Sequence, residues 1–343
     1  MILVTGGTGL IGSHLLFKLL HDNDNLIVKA IKRKNSNINN VKKVFSYYTD
    51  NEEKLFKRIE WVDVDILDYY DLYETFENIK KVYHCAGVVS YNQFQKDVMY
   101  NVNVIGTKNI VNCCLNREIE KLVHISSIAS LGIPDNGTII TEDSKLTIED
   151  DSTIYAKCKF LAELEVWRGI EEGLNAVIVN PAVVLGPGFW DNKGVGMALK
   201  RIYKGFRFYT DGVTGFVDVR DVVNIIIILM NSDIKGERFI LSEGNYSLKD
   251  ILRMIMNEMG KIDISIKAND FILKLISNLE YALWLFFKKM PVLTPESLKL
   301  ARQKNYYSNE KIKKAINYEF IPISETIKFI VKKFLDDIEK KKY

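Results

Sequence analysis

Through the first half of the chain, short apolar runs alternate with amphipathic stretches. Runs at 1–5, 26–31, 59–64, 81–85, 121–125 and 176–179 are rich in Val, Ile and Leu and carry few charges, as strands buried on both faces do. Between them, stretches near 10–22, 68–78, 97–117 and 153–172 repeat apolar positions at helical spacing, and Ile11, Leu15, Leu16, Leu19 and Leu20 share one face of the first. Strand and helix in strict alternation predict βαβ units and a doubly wound α/β domain around a parallel sheet. The Asn- and Lys-rich stretch 33–54 reads as a loop and a surface helix.

After Asn180-Pro181 the alternation stops. Gly and Pro punctuate 186–196, and later segments are mostly helical with isolated strands such as Arg238–Leu241. The pattern predicts one domain over 1–185 and a smaller, mainly helical C-terminal substrate lobe built from 186–216 and 235–343. Residues 217–234 return to the first domain, because Val217–Leu229 resembles a strand end and helix rejoining the sheet. Val222–Met230 (VVNIIIILM) is too short to cross a membrane and reads as a buried helix. The stretch 271–293 is rich in large apolar residues but interrupted by Lys274, Glu280, Lys288 and Lys289. It is expected to be an amphipathic cover over a substrate pocket rather than a membrane contact, so no stable membrane insertion is expected.

Composition narrows the function classes. Apolar residues at 47 % and charged residues at 27 % of 343 are the profile of a globular protein rather than a disordered or membrane-spanning one. A net charge of +3, from 47 basic and 44 acidic side chains, lacks the basic excess of a nucleic-acid partner. Cys85, Cys113, Cys114 and Cys158 form no C-x-x-C pair, and the 4 histidines have no ligand spacing. A reduced, metal-free, cytoplasmic protein is therefore expected. Met1-Ile2-Leu3-Val4 already reads as a buried strand, so no export signal is expected.

Directly behind that strand stands Thr5-Gly6-Gly7-Thr8-Gly9-Leu10-Ile11-Gly12, a T-G-x-x-G-x-x-G loop that opens the first helix. Glycines in this setting allow a tight turn, close approach of backbone to a pyrophosphate, and close packing of helix on strand. The helix start adds free N–H groups and partial positive charge, so Gly6, Thr8, Gly9, Leu10, Ile11 and Gly12 are the predicted cradle of a dinucleotide in a Rossmann domain. The second strand ends in Lys29-Ala30-Ile31-Lys32-Arg33-Lys34, with no acid to take a ribose 2′-hydroxyl. Arg33 can grip a 2′-phosphate instead, which favours NADP(H) and leaves NAD(H) as the second choice. Lys32–Lys34 also suits a solvated loop. After the third strand, Asp65 could accept from an adenine amino group with Ile66 beside it; equally, Asp65 could cap the next turn.

The chemistry is carried farther along. Tyr155 and Lys159 stand four apart, on one face of a helix. A phenol is normally too weak an acid for neutral pH, and a nearby ammonium favours its ionised form. Tyr155 would then give a proton to a carbonyl oxygen while Lys159 also binds the cofactor ribose. Ser127, at the carboxyl end of the fifth strand, can hold that oxygen near Tyr155, with Ser126 and Ser130 as the next candidates. Their alternative is a role in the turn itself.

Together these segments resemble the extended short-chain dehydrogenase/reductases of the NAD-dependent epimerase/dehydratase superfamily, especially the dihydroflavonol-reductase-like and 3β-hydroxysteroid-dehydrogenase-like branch. VTGGTGLIGSHL, VYHCAGVVS, NVNVIGTKNIV, HISSIASLG, YAKCK, VNPAVVLGPG, FVDVRDVV and the closing NYYSNEKIKKAINYEF all match, so the resemblance covers almost the whole chain. It implies that Cys85, Ala86 and Gly87 line the adenosine and that Asn103 supports the centre. It also implies that Pro181, Ala182 and Val183 lie against the nicotinamide, and a homodimer formed through the helices near 97–117 and 153–172. Cys85 stands where an Ala is commoner, and the second lobe carries no specificity signature. The expected function is NADP(H)-dependent interconversion of a carbonyl and a secondary alcohol on a small organic substrate. The rivals are a nucleotide-sugar epimerase or dehydratase with tightly held NAD(P), and a non-catalytic NADP(H)-sensing regulator. An intact Ser–Tyr–Lys set argues against the last, since a sensor needs no general acid.

Overall fold

The six apolar runs of the first half lie side by side in one parallel sheet, joined at its edge by a seventh strand from farther along the chain. In the computed structural model, which describes residues 1–134, 139–144, 152–190, 194–261, 266–268 and 295–340, its first six strands are β1 (Ile2–Thr5), β2 (Val28–Lys32), β3 (Ile59–Asp63), β4 (Lys81–His84), β5 (Lys121–Ile125) and β6 (Ala176–Pro181). Beyond them come β7 (Val183–Leu185), β8 (Phe208–Tyr209), β9 (Val213–Asp218), β10 (Glu237–Leu241), β11 (Gly244–Ser247) and β12 (Ile266–Lys267). The main sheet runs β10-β6-β5-β4-β1-β2-β3, with every neighbouring pair parallel. The order reverses between β1 and β4, where Val4 pairs with Tyr83 on one side and Ala30 on the other. Crossovers leave that point in opposite directions, which opens a crevice at the carboxyl ends of the strands.

The apolar runs are what make this arrangement stable. Leu3, Val4, Val82, Leu122, Val123, Ile178 and Val179 are almost wholly shielded on both sides of the sheet. Helices Leu10–His21 and Val219–Met230 cover one face with Leu15, Leu16, Leu20, Val222, Ile225 and Ile226. Helices Gly106–Asn116 and Ile154–Glu171 cover the other with Ile110, Val111 and Val166. Each such side chain contributes about 1.5–3 kcal/mol by leaving water, and the buried helix expected at 222–230 is borne out.

Three readings need correction. Arg238–Leu241 is no isolated strand: as part of β10 it pairs with β6 from Glu237↔Val177 to Leu241↔Pro181 and closes the edge of the main sheet. The stretch 33–54 does hold a loop and a helix with an exposed face at Asn39 and Lys43, but the helix is more deeply seated than its composition suggests. Helix Asn39–Phe45 buries Val41, Val44 and Phe45 completely, and Tyr47 follows them inward, so the polar composition hides an apolar stripe. Finally, β9 does not rejoin the main sheet. It lies in a small sheet ordered β11-β9-β7, although its Val217 and the helix after it do pack into the core beneath the large one.

Around that small sheet Leu199, Ile202, Ile255, Met256, Ile330 and Phe334 form a separate apolar cluster, joined by Val44 and Tyr47. The amphipathic cover expected at 271–293 lies outside the described residues. Among the described residues, no helix is long and apolar enough to cross a membrane.

Candidate active site at the carboxyl edge of the sheet

The loop between β1 and the first helix is shaped by what its glycines touch. Gly6 has φ +66°, and a Cβ there would stand 2.6 Å from the backbone of Cys85 and Ala86. A Cβ on Gly12 would collide with the Gly6 carbonyl oxygen. Gly9 opens the helix with no side-chain cap, and its own N–H is held by the Gly6 oxygen at 2.9 Å. The start of this helix therefore has no side-chain cap for its first N–H groups, which is the kind of helix end that can receive an anion.

A hydrogen-bonded chain fixes this loop to the next strand. Ala86 N–H donates to Thr5 Oγ1 at 3.2 Å, and Thr5 Oγ1 lies 2.7 Å from His84 Nδ1. His84 Nε2 lies 2.9 Å from Thr107 Oγ1, which donates to the Asn103 carbonyl at 2.6 Å. With Thr107 and Ala86 as fixed donors, one assignment satisfies every atom: His84 accepts at Nδ1 and donates at Nε2. Burial holds His84 neutral, with its pKa lowered to about 3.

Beyond β2 and β3, Lys32 is engaged by Asp63, whereas Arg33 and Lys34 are exposed in a turn closed by Ser36 N–H on the Arg33 carbonyl at 2.8 Å. Asp65 is also exposed, and its Oδ1 accepts from Leu67 N–H at 3.0 Å, the turn-capping arrangement. Ile66 is buried against Gly106, and its carbonyl accepts from the Asn109 side chain at 2.9 Å.

Ser127, Tyr155 and Lys159 converge from two elements. Ser127 lies two residues beyond β5 in an extended conformation, and its Oγ accepts from Ala129 N–H at 3.2 Å. Ser126 is turned inward, 3.4 Å from Ser130 Oγ, which separates the two serines cleanly. Helix Ile154–Glu171 begins at Thr153, whose hydroxyl accepts from Ala156 N–H at 3.1 Å, and this start carries Tyr155 into the site. Burial raises the Tyr155 phenol well above its usual range, while the Ser127 hydroxyl beside it acts the other way. Lys159 Nζ donates to the Ile125 carbonyl at 3.0 Å, and burial pulls its pKa down to about 8. A Cβ on Gly87 would stand 3.3 Å from Asn103 Oδ1 and 3.4 Å from Lys159 Nζ, so these three residues meet.

Asn103 lies in a π-helical turn, Asn101–Ile105, between α-helical Lys96–Tyr100 and Gly106–Asn116. Its side chain clasps Val88 from both sides, accepting from its N–H at 2.8 Å and donating to its carbonyl at 2.9 Å. Such turns recur at functional sites because they re-aim one side chain without breaking the helix. The backbone of Cys85 and Ala86 abuts Gly6, and Cys85 is a thiol kept neutral by burial, pushed up to about 12. Pro181 and Ala182 are buried; Val183 is 36 % exposed at the same edge.

Several residues were not singled out from sequence. Glu163 is only 1 % exposed, and its Oε1 accepts from Ser130 Oγ at 2.5 Å and Asn180 Nδ2 at 2.6 Å. Asn180 also reaches the Ser127 carbonyl at 3.1 Å. An acid on the same helical face as Tyr155 and Lys159, and an Asn closing an apolar strand, were the available signals. Tyr91 packs edge-on against Tyr155 with centroids 6.0 Å apart, and nothing in its local sequence marks it.

A family model described as the NAD dependent epimerase/dehydratase family matches residues 2–241. Over 264 residues the chain is 30 % identical to a Synechocystis sp. protein provisionally named a dihydroflavonol 4-reductase, covering 75 % of this chain and 72 % of that one. It is 24 % identical to the Mus musculus sterol-4-alpha-carboxylate 3-dehydrogenase, decarboxylating, over 96 % of this chain and 90 % of the other. The crystal structure of gox2253 superposes with a TM-score of 0.79 at 25 % identity, covering 98 % of both chains.

Proposed function

The chain belongs to the NAD dependent epimerase/dehydratase family, and from that premise we propose that it interconverts a carbonyl and a secondary alcohol on a small organic substrate, with NADP(H) as preferred cofactor. It is an NAD(P)-dependent oxidoreductase of the extended short-chain dehydrogenase/reductase type. The residues suit a dinucleotide: the loop is so tight that a Cβ at Gly6 or Gly12 would strike neighbouring backbone, and the helix start behind it has no side-chain cap. Gly6, Thr8, Gly9, Leu10, Ile11 and Gly12 would hold the pyrophosphate, and Arg33 a 2′-phosphate. Asp65, Ile66, Cys85, Ala86 and Gly87 would border the adenosine, and Ser126, Pro181 and Val183 the nicotinamide. When bound, the nicotinamide supplies or accepts a hydride at the substrate carbon.

The observation that carries the reading is Tyr155, buried with the Ser127 hydroxyl beside it and Lys159 one turn further along the same helix. Burial keeps the proton on Tyr155 until an oxygen that develops negative charge can take it, as a general acid requires. Ser127 donates to that same oxygen and holds it in place. Lys159 keeps a positive charge near the phenol, which eases loss of the proton. Asn103, through Val88 and Gly87, fixes the wall against which Lys159 rests.

Arg33 supports NADP(H) because it is exposed and its neighbour Lys32 is already engaged by Asp63. Exposed Val98, Tyr100 and Leu164 support a homodimer through the helices that carry them. Four free thiols suit a cytoplasmic setting. The test is Tyr155→Phe assayed on aldehydes, ketones and nucleotide sugars. Turnover should fall about 10²–10⁴-fold while NADP(H) still raises the melting temperature. Unchanged turnover would refute the assignment; NAD copurifying with a protein that epimerises or dehydrates nucleotide sugars would replace it.

A further inference from the structure

Glu163 is a carboxylate in a place where the fold alone does not call for one. It lies on helix Ile154–Glu171 four residues after Lys159, so the two side chains share a face, and both are buried. Three donors surround it: Ser130 and Asn180 at Oε1, and the Arg238 guanidinium at Oε2, 3.2 Å away. Both carboxyl oxygens are thus engaged as acceptors, one of them in an ion pair with Arg238. An apolar residue of similar volume would fill the space without desolvating a charge.

We propose that Glu163 is a positioning residue whose negative charge holds Lys159 in its ammonium form. The idea rests on the functional reading above, in which that ammonium binds the cofactor ribose and tunes Tyr155. The groups that face Lys159 from other elements are the Cys85 thiol, His84 on β4 and His124 on β5, all kept neutral by burial. Tyr155, on its own helix, also keeps its proton. Burial works against the ammonium and brings Lys159 down to about 8, while the Glu163 charge works to keep it protonated. Arg238 is the counterweight. It pairs with Glu163 and donates to the Glu142 carbonyl, and it draws on the same negative charge from the far side.

The experiment is a fluorescence titration of NADPH affinity from pH 6 to pH 10. Wild type should bind less tightly as pH rises through about 8. Glu163→Gln keeps the shape and removes the charge, so the loss should begin about one unit lower. At pH 8 affinity should then be about five-fold weaker than wild type, with near equality at pH 6. Arg238→Gln removes the opposing cation and should move the same transition upward, which gives a second reading if Glu163→Gln does not fold. Coinciding wild-type and variant profiles would overturn the proposal, as would an Arg238→Gln shift in the downward direction. A wild type that binds neither NADPH nor NADH at any pH would overturn the functional reading itself, and this proposal with it.

Discussion

His124 offers a measurable consequence of how the sheet is built. It sits on β5, 1 % exposed, with its ring 5.1 Å from that of His84. Among the described residues neither of its ring nitrogens has a hydrogen-bond partner, and burial pushes its pKa well below the usual value. The unfolded chain takes up a proton on this residue near pH 6.5, whereas the folded protein does not. Stability from this group is therefore complete above that pH and is lost as pH falls. Between pH 7 and pH 5, with the ring neutral throughout in the fold, the loss is about 2 kcal/mol. His124→Leu keeps the volume and removes both the unpaired nitrogens and the titration. At pH 7 the variant should be as stable as wild type or more so, because an unpaired buried polar group costs about 1–3 kcal/mol. At pH 5 its advantage should grow by about 2 kcal/mol. Urea unfolding of both proteins at the two pH values measures this, and the difference between them cancels every other titrating group. An unchanged difference, or an NMR titration of the His124 ring near 6.5 in the folded protein, would refute the reasoning.

The remaining predictions concern the cofactor cradle, the phosphate grip and the joint with the C-terminal segment. Gly12→Ala drives a methyl into the Gly6 carbonyl, so the melting-temperature rise with NADP(H) should vanish, and a normal rise would count against the cradle. Arg33→Asp should lower the NADP-over-NAD preference about ten-fold or more, read from parallel binding titrations; an unchanged ratio would clear Arg33 of the role. Asp221 is fully buried, accepting from Tyr318 Oη at 2.9 Å and Ile321 N–H at 3.0 Å, and burial raises its carboxyl to about 7. The fold keeps a proton that the unfolded chain releases near 3.9, so this contribution shrinks as pH rises from about 4 to about 7. Relative to wild type, Asp221→Asn should gain about 2–3 kcal/mol between pH 5 and pH 8 by chemical unfolding, and a flat difference would show that the carboxyl is not raised.

What could be read from the sequence was local. Buried parallel strands are continuous apolar runs, so β5 could be bounded to the residue, and the glycine loop announced itself between a strand and a helix. Tyr155 and Lys159 were legible because helical spacing brings them together without help from the rest of the chain. Whatever depended on distant partners was not. Glu237–Leu241 becomes a sheet edge only because β6, far back in the chain, offers it a free side. Asn39–Phe45 is polar in bulk, and its inward stripe shows only against Phe17, which packs edge-on on Phe45. Glu163 looks like any helix acid until Ser130, Asn180 and Arg238 are seen to surround it.

The π-helical turn at Asn101–Ile105 makes the spacing of this helix a one-residue matter. A π turn holds one residue more than the α turn it replaces, so deleting a single residue there would let the helix close up as a regular α-helix. Every side chain on the amino-terminal side would then rotate by about 100° relative to Gly106–Asn116. Asn103 could not keep its clasp on Val88, although Ile110 and Val111 would stay packed beneath the sheet. Length variation at this point would be tolerated by the fold and felt by the chemistry, so an aligned relative one residue shorter here should be suspected of having changed or abandoned its reaction.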